Sequence, residues 1–272
     1  MSGTTARSFR VGQAAATTVV ASLIGIFLVF MLLPTATLVL SGGAEGVRLL
    51  GSDSELRGAL LLTLGCATAA TTLAVLGGTP LAYLLARGRF PGHMVVAGLV
   101  DLPLLIPHPV AGIALLLALG RQTAAGSVLA AIGTRITGSA TGIIAAMTFV
   151  AAPLFVAAAR EAFEQVDPRF EGVARTLGDT RYRALRRVTL PLASRGLLAA
   201  GIVMWSRAAS EFGAIVVLTY NPKVASVLSY DRFTAAGLNG ALPVAAVLVL
   251  IAVVPLIALR ALRPNHPGGS VE

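Results

Sequence analysis

Charge is scarce in this sequence. Only 12% of its 272 residues are Asp, Glu, Lys or Arg, while 56% are hydrophobic, and mean hydropathy is +0.84. Water-soluble chains carry about 25% charged residues, so a soluble globular domain is excluded and an integral membrane protein is implied. Lysine is nearly missing: of 21 basic residues, 20 are Arg and one is Lys223, in Asn-Pro-Lys-Val with no glycine-rich stretch before it. A Walker A loop needs a lysine on the nucleotide phosphates, so any ATP that drives this chain is bound by another polypeptide. The one cysteine, Cys66, lies in an apolar run; it excludes an intrachain disulfide and reads as a packing residue. His93, His108 and His266 stand at unrelated spacings and form no metal signature. The net charge of +9 is concentrated in loops between apolar runs, where lipid headgroups and orientation bias account for it, and nucleic acid is not expected as a partner.

What is present is a series of long apolar runs. Between charged or turn-rich breaks they give six spans, about 14–40, 56–86, 94–119, 138–159, 195–219 and 241–260. Each can cross a hydrocarbon core of about 30 Å. The pattern predicts an all-α, polytopic membrane helix bundle of about six transmembrane helices. It comprises an N-terminal tail 1–13, a transmembrane domain 14–261 with one long loop at 160–194, and a C-terminal tail 262–272. Arg7 and Arg10 precede the first span as they would a secretion signal, but its apolar stretch is too long for one, and it reads as a retained anchor. Counted on alternate sides, fourteen basic residues face one compartment and six the other, which predicts that both termini and the 160–194 loop are cytoplasmic.

That loop is the most informative segment. Asp167-Pro168 has the form of an N-cap followed by proline at the first helical position, and Gly178 that of the residue just past a helix end. The implied helix 168–177 carries Phe170, Val173, Ala174 and Leu177 at i, i+3, i+4 and i+7, one apolar stripe against polar faces. Asp179 is expected to cap a second, arginine-rich helix that ends before Leu190-Pro191. A short amphipathic helix of this kind suits either an anionic lipid surface or a groove on a partner protein, and pattern alone does not choose.

Four ionisable residues lie inside spans, where each costs several kcal/mol and marks a candidate functional site: Asp101, His108, Arg207 and Glu211. Arg207 and Glu211 are four apart, so a helix would put them on one face and let them pair; Arg207 could also hold an anion while Glu211 keeps that grip weak. The third span contains Pro103, Pro107 and Pro109, which cannot all sit in an unbroken helix. Non-helical backbone at membrane depth survives only inside protein or beside a water-filled cavity, so this segment points to a substrate pathway. The same acids and histidine could instead relay protons in a secondary transporter.

Gly172-Val173-Ala174-Arg175-Thr176-Leu177-Gly178, nine residues 179–187, and then Val188-Thr189-Leu190-Pro191 resemble the EAA loop of ABC importer permeases, E-A-A-x3-G-x9-I-x-L-P. Gly172 stands where the family has glutamate, and Glu171 is one position early, a rotation of about 100° on a helix. Leu102-Pro103 with Ile106-Pro107-His108-Pro109-Val110-Ala111-Gly112, and Ser210-Glu211-Phe212-Gly213-Ala214 followed by Ser229-Tyr230-Asp231-Arg232-Phe233, resemble the molybdate/tungstate branch, with sulfate permeases next. The resemblance implies a type I importer permease fold in a prokaryotic inner membrane. It implies a homodimer, two cytoplasmic ABC ATPase subunits that bind ATP and Mg, an extracytoplasmic oxyanion-binding protein, and no cofactor in this chain. Coupling to the ATPase would fall to Phe170, Val173, Ala174, Leu177, Gly178, Leu190 and Pro191. The translocation pathway would be lined by Asp101, Pro107, His108, Arg207, Ser210, Glu211 and Phe212.

Overall fold

A computed structural model describes residues 3–88 and 90–262; Arg89 and residues 263–272, with Arg263, His266 and nearly all of the expected C-terminal tail, lie outside the described residues. The described chain is helical: α1 Gly3–Ser52, α2 Ser54–Arg87, α3 His93–Leu105, α4 His108–Leu119, α5 Ala124–Ala131, α6 Ala140–Glu164, α7 Pro168–Thr176, α8 Arg181–Ala184, α9 Leu190–Ala209, α10 Gly213–Leu218 and α11 Ala225–Leu262. Five helical stretches are long and apolar enough to cross a membrane, and α3 with α4, bent by 115°, form a sixth, broken one. The polytopic α bundle is therefore as expected from the apolar runs, with additions that hydropathy did not reveal. These are the short α5, a helix that already begins at Gly3, and an α11 that starts at Ala225 and kinks at Gly237, where φ is +67°.

Small residues bring α2 and α6 together. Ala67, Ala70, Ala74, Gly78 and Ala82 make a buried stripe on α2, facing Ile143, Met147, Val150 and Phe155 of α6. A methyl added at Gly78 would meet the Phe155 ring at 2.9 Å. Between membrane helices, where water no longer drives association, such close approach supplies the attraction through dispersion. Cys66 belongs to this core, 4% exposed, in keeping with a packing role.

At the other end of α2 a polar clasp ties three elements. Asp53 caps α2 by accepting the Leu56 amide, and it pairs with Arg232 of α11. Lys223, in the loop before α11, lies 2.6 Å from Asp231 and 3.5 Å from Glu55. The Leu56 amide, then Arg232, hold the Asp53 carboxyl below its ordinary range against the opposing effect of burial. The Asp231 carboxylate holds the Lys223 ammonium above its own.

Helix α1 is exposed along Val19–Leu33, and its second half docks against α11. There Gly42 and Gly46 lie against the α11 backbone, where added methyls would sit 2.5 Å from the Leu242 and Pro243 carbonyl oxygens. Gly46→Leu is expected to cost about 1–3 kcal/mol by overpacking and to release α1, seen as faster proteolysis in the α1–α2 connection in detergent. Gly25→Leu, at a position with nothing within 4 Å, should leave the cleavage rate unchanged.

Candidate functional site

Two broken helices meet. The α3–α4 break falls at Ile106-Pro107, with Pro107 capping α4 and accepting the Ala111 amide at 3.0 Å, and the α9–α10 break at Ser210–Phe212. They approach so closely that only glycine fits at the contact. A methyl at Gly213 would lie 2.7 Å from His108 Cβ, and one at Gly112 would lie 2.6 Å from the Ala214 oxygen.

Glu211 sits at this junction, 1% exposed. Its Oε2 is 2.8 Å from Arg207 Nη2 and 2.8 Å from His108 Nδ1, while Oε1 accepts the Ala214 amide at 2.9 Å and so caps α10. Its backbone oxygen accepts the Ser226 hydroxyl at 2.7 Å. Arg207 Nη2 also lies 2.8 Å from His108 Nε2. The contacts to Glu211 and Arg207 are compatible when Nδ1 donates to Glu211 and Nε2 accepts from Arg207. A carboxylate buried this deeply persists only when paired and hydrogen-bonded. Its partners remain open, Arg207 at 27% and His108 at 44% side-chain exposure. The arrangement presents a partly exposed guanidinium on a buried counter-charge, with the imidazole bridging the two, which allows an anion to be attracted without being held tightly.

The Arg207–Glu211 pair thus forms, but not on a helix face as expected. Helix α9 ends at Ala209, and a turn, with Glu211 N–H bonded to the Ala208 oxygen, swings Glu211 back under Arg207. His108 joins the pair, which no spacing foretold. Ser210 is exposed and donates to the Arg207 carbonyl at 3.0 Å, and the Phe212 ring packs against Tyr230 with centroids 5.1 Å apart. Asp101 does not join them. It lies before the 115° bend, on α3, lining a separate cavity of about 240 Å³ with Arg160, Glu161 and Glu164.

Helix α7 has the ends its sequence announces. Asp167 accepts the Arg169 amide at 2.8 Å, and Pro168 opens the helix. At the other end Asp179 N–H bonds the Ala174 oxygen and Gly178 N–H the Arg175 oxygen, with Gly178 at φ +95°, the paired bonds of a Schellman turn that favours glycine. Phe170, Val173 and Leu177 are 53%, 59% and 83% exposed, and Ala174 is half-buried. The apolar stripe is uncovered in the single chain, as a surface awaiting a partner would be. Leu190 and Pro191 are not on this stripe; they open α9, where Leu190 packs toward the core.

Two expectations for the following segment need correction. Thr180, not Asp179, caps α8, through the Arg183 amide, and Asp179 pairs with Arg187 instead. Nor does that helix stop before Leu190-Pro191: a π-turn, Leu185–Thr189, carries it directly into α9. Proline inside a helix clashes with the carbonyl one turn back, and the wider π-turn just before Pro191 gives its ring room. Sequence reasoning also missed the surroundings of Glu171, which turns inward toward Tyr83, Arg87 and Thr189.

A helix bundle with a charged junction between two broken spans and one uncovered amphipathic helix has the makings of a membrane permease. Residues 78–265 match the family described as binding-protein-dependent transport system inner membrane component, and the chain belongs to that family. It is 38% identical over 240 residues to a molybdate/tungstate transport system permease protein of Thermococcus kodakarensis, covering 87% of this chain and 92% of that one. It is 38% identical over 243 residues to a probable molybdenum ABC transporter permease protein of Haloferax volcanii, covering 89% of each. Among solved structures, a bacterial ABC transporter that imports alginate superposes with a TM-score of 0.68 at 19% identity, over 94% of this chain and 96% of that one. The fold is that of type I ABC importer permeases, and the protein is a multi-pass component of the prokaryotic inner membrane.

A double-mutant cycle of Arg207→Gln and Glu211→Gln, read by thermal unfolding in detergent, is expected to give a coupling energy of about 1–3 kcal/mol. Additive single effects would show that the two side chains do not stabilise one another.

Proposed function

We propose that this chain is the membrane-spanning subunit of an ATP-driven importer for a tetrahedral oxyanion, molybdate or tungstate. It works as a homodimer on two cytoplasmic ABC ATPase subunits that bind ATP and Mg, and an extracytoplasmic binding protein delivers the anion. The observation that carries this reading is the Arg207–Glu211–His108 junction, a partly exposed guanidinium held beside a buried carboxylate and an imidazole where two spans are broken. The names of the relatives support the choice of anion.

A dianion does not partition into hydrocarbon, so it needs a polar path. The junction meets that need with little affinity of its own, because Glu211 already neutralises much of what Arg207 offers. Tight recognition then belongs to the delivering protein, and release to the cell interior is not slowed by a deep well. Both termini and α7 face the cytoplasm, following the excess of arginine on that side. Phe170, Val173 and Leu177 enter a groove of the ATPase, and Gly178 lets the chain turn sharply away. Closure of the two ATPases on ATP moves the paired α7 helices and rocks the spans between inward-open and outward-open arrangements.

The test is uptake into vesicles holding the permease, the ATPase and the binding protein, with molybdate, tungstate and sulfate compared. Arg207→Gln, at unchanged membrane levels, is expected to slow molybdate uptake about tenfold, the effect of losing a charged hydrogen-bond partner; unchanged uptake would remove Arg207 from the path. Phe170→Ser with Leu177→Ser is expected to abolish ATP-driven uptake and copurification of the ATPase. Uptake that follows the proton gradient without ATP would replace this reading with a secondary transporter.

A further inference from the structure

We propose that Glu171 is the positioning residue that fastens α7 to α2, so that a displacement of the docked α7 moves α2 as a rod; this rests on the coupling function above. No residue of α7 is buried, and its apolar stripe faces outward. Glu171 is the side chain that turns the other way, only 13% exposed. Its Oε2 accepts the Tyr83 hydroxyl at 2.9 Å, and its Oε1 accepts the Thr189 hydroxyl at 2.7 Å. Thr189, itself fully buried, belongs to the π-turn that leads into α9. One carboxylate therefore joins α7 to both α2 and α9.

Helix α2 grips the same corner a second time. Tyr83 and Arg87 are four apart and share a face of its last turn. Arg87 donates through Nη2 to the Val166 carbonyl, in the α6–α7 connection, and the Tyr83 ring meets Phe163 edge-on with centroids 5.5 Å apart. Arg87 Nε is buried with no hydrogen bond among the described residues, 3.4 Å from Glu171 Oε1. An inward shift of α7 would complete that bond, so the corner holds a contact ready to tighten under load.

The register explains why this residue is free to do so. A side chain at 172 would meet nothing within 4 Å, so that position looks out, and the chain has glycine there. Position 171, about 100° around the helix, looks in. The far end of α2 is held by the clasp of Asp53 and Glu55 with Arg232 and Lys223, and by the Ala225 amide on Thr63. A 34-residue helix is about 50 Å long, and here it links the corner under load to the clasp at its opposite end.

The experiment uses the complete transporter in vesicles, with ATP hydrolysis, molybdate uptake and ATPase copurification measured on the same preparations. With Glu171→Gln, copurification and hydrolysis are expected to stay within about twofold while uptake per ATP falls about tenfold; Tyr83→Phe should lower it less, and the double variant no further than Glu171→Gln alone. Unchanged uptake per ATP in Glu171→Gln overturns the proposal. So does a parallel loss of hydrolysis and copurification, which would make Glu171 part of the docking surface. If Glu171→Gln does not assemble, Tyr83→Phe decides, since unchanged uptake per ATP in that variant also overturns the proposal. Wild-type uptake without ATP would instead overturn the function on which the proposal rests.

Discussion

Hydrocarbon offers no hydrogen bonds, and every polar group exposed by breaking a helix inside it must find a partner in the protein. Glu211 meets that constraint at the point where this chain is most broken. One side of its carboxylate closes the start of α10, the other holds Arg207 and His108, and its carbonyl takes the Ser226 hydroxyl at the start of α11. Four segments, α4, α9, α10 and α11, are thereby referred to a single residue. The same contacts leave Arg207 and His108 partly exposed, so the break is sealed while a guanidinium stays accessible beside it.

The bundle distributes its polar anchors unevenly. Within the spans, contact is made by small residues against larger apolar side chains and by isolated hydroxyls, such as Thr68, which accepts the Trp205 indole N–H. Charge networks that tie separate helices together lie at the two ends of α2 and at the α4–α10 junction. Sliding two such apolar faces past one another breaks few hydrogen bonds, whereas separating the ends breaks several. A structure built in that way favours rigid-body rocking over bending of individual helices.

Much of this was legible in the amino-acid order, and the reasons differ from place to place. Apolar runs located α2 and α6 because a span must be long and continuous, whereas the run 195–219 passed over the end of α9 at Ala209 and the break before α10; the caps of α7 followed from Asp167, Pro168 and Gly178 because helix ends have local chemistry. The triple-proline segment announced a break, although Pro103 sits within α3 and only Pro107 marks the bend itself. The meeting of His108 with Glu211 was not legible: they are 103 residues apart, and no periodicity relates positions on different helices. The π-turn was hidden for a similar reason, since a widened turn uses the same residue types as the helix around it. Glu171 was noticed only as a glutamate out of register; Tyr83 and Arg87, four apart at the end of α2, were the available sign that its carboxylate had somewhere else to go.

Lys223 gives the clasp an unplanned use. It is the only side-chain amine in the sequence, and its ammonium is engaged by Asp231 and Glu55. An acylating reagent modifies the neutral amine, and partners that favour the charged form protect it. Because the nearer partner, Asp231, belongs to α11 itself, the chemical reactivity of this single nitrogen reports first on how the loop before α11 is held against that helix, and only secondarily on the approach of Glu55 from α2.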